Sequence, residues 1–81
     1  MTRQSVAKAF GNVLRTARKD RGLSQEELGL DADLDRTYTS LLERGLRTPS
    51  LALLFALANV LRIPPSQLVS DTLDYLQRKS P

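Results

Sequence analysis

The sequence predicts an all-α domain of five short helices, with two of them joined as a helix-turn-helix. Three observations predict it. Apolar residues recur at helical spacing in several separate runs; caps and breakers punctuate those runs; and the stretch Ser24 to Gly45 fails as one continuous helix. Leu28 and Ala32 share a helical face, but Asp33, Leu34 and Asp35 interrupt the rhythm before a second run begins. Two short helices about a tight turn fit better.

The first element lies within Thr2 to Arg21. Val6, Phe10, Val13, Leu14 and Ala17 form an apolar stripe, and Gly11 within it suits close packing against another element. Arg15, Arg18, Lys19 and Arg21 crowd the final turns, where cations suit the negative end, and Gly22 ends the helix. The second helix is expected at about Gln25 to Asp31. Ser24 can cap it, and Glu27 three residues on completes a Ser-x-x-Glu capping box. Asp33 takes the turn, where a left-handed residue is usual and Asp is tolerated. Asp35 caps the third helix, about Arg36 to Glu43. Small Gly29 stands where the two helices would cross closely. Leu28, Ala32, Leu34 and Leu42 then face inward, leaving Arg36, Thr37, Ser40 and Arg44 on the outer face.

After the loop Arg44-Gly45-Leu46-Arg47, the segment Thr48-Pro49-Ser50 starts a fourth helix, about Leu51 to Leu61. Its composition is unusual. Leu51, Leu54, Phe55, Ala58 and Leu61 make one apolar face, and Leu53, Ala56, Leu57 and Val60 make a second. A helix apolar nearly all round must be covered on both sides. Arg62-Ile63-Pro64-Pro65 breaks the run. Ser66 is expected to cap a last helix over about 66–77 containing Leu68, Val69, Leu73, Tyr75 and Leu76, with the tail from Gln77 to Pro81 fraying.

Eighty-one residues make a single domain over 1–81 with its core at about 6–69, and no repeat or linker divides them. Folding a chain this short removes roughly 60% of its unfolded surface from water, so a partner subunit would help. Twelve basic and nine acidic residues give a net charge of +3, a mild bias toward polyanions. With no Cys and no His, disulfides, zinc sites, thiol nucleophiles and the usual general bases are absent. The expectation is therefore no enzyme, no metal and no cofactor. No apolar run reaches the ~20 residues of a membrane span, so a cytoplasmic protein without membrane contact is expected.

The segments Gly22-Leu23-Ser24-Gln25-Glu26-Glu27-Leu28, Leu34-Asp35-Arg36-Thr37-Tyr38, Leu42-Glu43-Arg44-Gly45 and Thr48-Pro49-Ser50-Leu51 resemble the phage repressor and Cro type of helix-turn-helix domain, the XRE family. The likeness covers about Val6 to Val69. Leu34 to Tyr38 also resembles the controller proteins of restriction–modification systems. The resemblance implies a five-helix lambda-repressor-like bundle acting as a homodimer on double-stranded operator DNA with inverted half-sites, with RNA polymerase as a further partner of such regulators.

It places Arg36, Thr37, Ser40 and Leu41 at groove-facing positions. Arg36 can present a fork to guanine O6 and N7, the alternative being a phosphate contact or a solvated arginine. Thr37 could bond a base edge or a phosphate, or serve as a second cap. Leu41 would suit a thymine methyl, or pack on Tyr38. The family position of Gln25 touches a phosphate, and Arg44, Arg47 and Thr48 lie where loop contacts to the backbone are expected. Tyr38 either reaches a phosphate or covers the core. The resemblance also pairs Glu43 with Arg18 as a structural salt bridge. A dimer interface is expected from Leu53, Ala56 and Val60 with Leu73 and Leu76.

Two features depart from the pattern. Thr39 stands where a branched aliphatic is expected, so its buried hydroxyl needs a partner, for which the carbonyl four residues back is suited. Within Ser24 to Gly45, six acids (Glu26, Glu27, Asp31, Asp33, Asp35, Glu43) face two bases (Arg36, Arg44), a net of −4. Attraction to DNA must then depend on arginines outside the motif. The competing reading is an antitoxin or interaction module of the same fold that holds a partner protein through helix four.

Overall fold

The computed structural model describes residues 1–79, all of whose regular elements are helices: α1 (Arg3–Asp20), α2 (Gln25–Asp31), α3 (Arg36–Glu43), α4 (Leu51–Leu61) and α5 (Pro65–Lys79). Each of the first four starts on a side-chain cap. Thr2 and Ser5 exchange hydrogen bonds in a capping box at α1, and Ser24 and Glu27 do so at α2. Asp35 accepts from the Thr37 N–H at 3.1 Å, and Ser50 accepts from the Leu53 N–H at 3.1 Å. These acceptors satisfy N–H groups that the first turn of a helix leaves open.

The same four helices also end alike. Gly22, Asp33, Gly45 and Arg62 adopt left-handed backbone, with φ of 76°, 58°, 75° and 59°. The next residue in each case, Leu23, Leu34, Leu46 or Ile63, returns its N–H to a carbonyl five residues back. This is the Schellman closure, whose apolar last residue folds over the helix end. Leu23, Leu34 and Ile63 pack against the core in this way. The Asp33 turn therefore breaks the chain between α2 and α3.

α1 packs against α3 and α5, and α2 against α3. Leu14, Leu28, Leu42, Leu57 and Leu68 are completely buried and draw all five helices into one core. Close approaches between elements favour glycine at two of the helix contacts. A Cβ on Gly11 would lie 2.6 Å from the carbonyl oxygens of Leu42 and Glu43, so α1 touches the backbone at the end of α3. A Cβ on Gly29 would come within 3.0 Å of the Leu34 carbonyl and the Thr39 hydroxyl. The packing runs past Val69, since Thr72 is buried and Leu76 half-buried.

The structure revises four local expectations. α5 begins at Pro65, so Ser66 lies inside it and is no cap; proline fits the first helical position because its φ is preset and it lacks the N–H that would go unsatisfied. α5 also continues through Gln77 and Arg78 to Lys79, where a frayed tail was expected; the last two residues of that tail lie outside the described ones. On α4, Leu57 belongs to the core with Leu54, Ala58 and Leu61, whereas Leu51 and Phe55 are 71% and 55% exposed. Helix α4 is rotated relative to the expected faces because it packs against α2 and α5.

The fourth revision concerns Thr39. Its side chain is fully buried and its Oγ1 has no hydrogen-bond partner among the described residues, not even the carbonyl four residues back. A hydroxyl stripped of water without compensation destabilises the fold. Thr39→Val should raise stability by about 1 kcal/mol, seen as a higher urea midpoint at unchanged m-value.

Candidate nucleic-acid interface

Helix α3 presents two unlike faces. Thr39 and Leu42 are buried beneath it, while Arg36 and Thr37 are exposed in its first turn. Ser40 and Leu41 are half-buried one turn further on, and Arg44 is exposed at the end. The Asp33 turn and the Asp35 cap aim that first turn outward. Tyr38 is half-buried and packs against the core.

Beyond α3, the chain reverses at Gly45 and runs through exposed Arg47 and Thr48. The Arg47 guanidinium donates to the Leu46 carbonyl at 2.9 Å. Arg44, Arg47 and Thr48 thus form a polar loop following the outer face of α3, with cations suited to a polyanion.

Behind this surface sits a buried polar junction. Arg18 Nε donates to Glu43 Oε2 at 2.6 Å and Nη2 to Oε1 at 3.0 Å, a two-pronged ion pair with side chains only 10% and 3% exposed. Arg18 Nη1 also donates to the Leu23 carbonyl at 2.8 Å. The Gln25 amide donates to Glu43 Oε1 at 3.1 Å, so this half-buried side chain ties the start of α2 to the end of α3. Neither the Gln25–Glu43 bond nor the unpartnered Thr39 hydroxyl is visible in a linear reading, because both depend on how helices cross.

The acids of the motif have assigned positions. Glu27 accepts the Ser24 N–H at 2.9 Å, and that bond with the Ser24 hydroxyl holds its carboxyl below the usual glutamate range. Asp35 caps α3, Glu43 meets Arg18, and Glu26 lies 4.0 Å from Arg36 across the turn. No group of His, Cys, Asp or Glu among the described residues could hold a metal ion. Nor is any single described helix long and apolar enough to cross a membrane.

Residues 14–68 match the helix-turn-helix family HTH_3, most of the chain and all of the surface just described. The chain belongs to the helix-turn-helix family of transcriptional regulators. The control protein C.MunI of a Mycoplasma species is 46% identical over 63 residues, spanning 76% of this regulator and 85% of that protein. The crystal structure of the restriction–modification controller protein C.AhdI from Aeromonas hydrophila superposes with a TM-score of 0.74 at 44% identity, covering 76% of this regulator and 94% of that chain. The controller protein C.Esp1396I, solved as a tetramer on its natural 35-base-pair operator, shares the fold with a TM-score of 0.79 at 24% identity, over 89% and 95% of the two chains. The five-helix, strand-free architecture of the described residues is thus that of controller proteins, and relatives such as C.MunI are regulators rather than enzymes.

Proposed function

We propose that this regulator binds double-stranded DNA sequence-specifically as a homodimer, on an imperfect palindrome. The observation that carries the reading is the first turn of α3, where Arg36 and Thr37 stand exposed on the opposite face from buried Thr39 and Leu42. A helix held this way can enter a major groove with its first turn toward base edges. Arg36 reads guanine, with Thr37, Ser40 and Leu41 beside it. Gln25, Tyr38, Arg44, Arg47 and Thr48 contact phosphates and set the pose.

Dimerisation would cover apolar surface on α4 and α5. Leu51 and Phe55 are one exposed pair four residues apart, and Val69 and Leu73 are another. Half-buried Leu53, Ala56, Val60 and Leu76 lie on the same two helices. Two subunits would set their α3 helices one turn of DNA apart, about 34 Å. The controller protein solved as a tetramer on operator DNA supports an assembly of this kind. The exposed Leu51–Phe55 pair also fits the alternative occupant, a different protein held as an antitoxin holds its toxin; sedimentation of the pure chain as a monomer at micromolar concentration would favour that alternative.

Selection of duplexes from a random pool tests the DNA reading directly. The expected product is an inverted repeat with half-sites one turn apart, and failure to enrich any sequence overturns it. In the same assay Arg36→Ala should cost about 1–3 kcal/mol and relax preference at one base pair per half-site. Arg47→Ala should weaken all sequences alike and reduce the salt slope by about 1.

A further inference from the structure

Glu26, in the first turn of α2, is an acid of the motif that serves as neither a cap nor a buried ion pair. Glu27 belongs to the Ser24 capping box, Asp35 caps α3, and Glu43 is locked to Arg18. Glu26, second in α2, has one ion-pair partner among the described residues, Arg36 at the start of α3, with Oε2 4.0 Å from Nη1. Both side chains are open to water, 64% and 72% exposed, so the pair adds little to folding.

We propose that Glu26 is a positioning residue that makes Arg36 choose a base edge over phosphate, and so sets how sharply the protein separates its operator from other DNA. The proposal rests on Arg36 reading a base. A guanidinium carries five N–H donors in a fixed fork. With Nη1 turned toward the Glu26 carboxylate, Nε and Nη2 remain for the two acceptors of guanine. Docking on a duplex removes water from both side chains, and the attraction between them grows as the surroundings become less polar. The carboxylate also repels phosphate oxygens, which every sequence presents equally, whereas guanine O6 and N7 are neutral acceptors. The penalty therefore falls on sequence-independent contacts. This also gives a use to one of the acids that leave the motif at −4.

The test is Glu26→Gln, which keeps the shape and removes the charge. Binding of the selected operator duplex, of the same duplex changed at the base pair that Arg36 reads, and of a scrambled duplex of equal length would be measured across a salt series. The expected result is about tenfold tighter binding of scrambled DNA, with about tenfold weaker discrimination at that base pair. The salt slope on scrambled DNA should steepen by about 0.9 per subunit as Arg36 turns to phosphate. Glu26→Asp should restore the preference, and in an Arg36→Ala background Glu26→Gln should leave base preference unchanged. Equal tightening on all three duplexes, with discrimination kept, would mean a general charge effect and overturn the proposal. If Arg36→Ala alone leaves base preference intact, the reading of Arg36 fails first and takes the proposal with it.

Discussion

Glu43→Ala is expected to destabilise the domain by about 3–5 kcal/mol, because it strands a buried cation. The Arg18 side chain is 10% exposed and gives Nε and Nη2 to the lost carboxylate. Only its bond to the Leu23 carbonyl would remain, while the Gln25 amide would lose its acceptor. A domain of this size has a total stability of roughly 4–12 kcal/mol at about 0.05–0.15 per residue, so the variant should lose a large share of it. Urea titration followed by circular dichroism would show it. A reciprocal check separates a stranded charge from lost packing: the double change Arg18→Met, Glu43→Leu should cost less than Glu43→Ala alone. If the single variant loses less than about 1 kcal/mol, the pair behaves as a surface ion pair and the buried-junction account is wrong.

Leu42→Ala should cost about 2–5 kcal/mol through lost burial and the cavity left behind. Leu42 is fully buried under α3, and little around it can move inward. At Gly11 the backbone of α1 is already so close that a single added carbon would meet the Leu42 carbonyl at 2.6 Å. Backbone in contact cannot collapse further to fill a side-chain void. The comparison is Leu30→Ala on α2, a leucine 71% exposed, which should shift stability by no more than about 0.5 kcal/mol. Equal losses at the two positions would show that burial does not set the difference.

The bounds of α2, α3 and α4 follow from local chemistry that a sequence displays openly. Ser24, Asp35 and Ser50 each stand immediately before their helix, and Asp33 marks the turn. Pro65 was harder to place, since a second proline and a serine offered competing starts for α5. The orientation of α4 could not be read because leucine and alanine occupy nearly every side of it; which side is covered depends on α2 and α5. Arg62 in left-handed backbone carries no compositional signal, unlike glycine at the corresponding ends of α1 and α3. At the candidate interface, exposure of Arg36 and Thr37 followed from helical periodicity. The Glu26–Arg36 and Gln25–Glu43 contacts bridge different helices, so spacing along the chain does not disclose them.

Helix α1 finds much of its cover on α5, the element furthest from it along the chain. During synthesis at about 5–20 residues per second, the N-terminal helix therefore waits seconds for its cover. Over that interval α1 lacks the cover that α5 supplies, and chaperones or a neighbouring nascent copy can reach its uncovered side. A cell making this regulator acquires working molecules only after α5 emerges, which builds a short delay into any circuit that responds to its level.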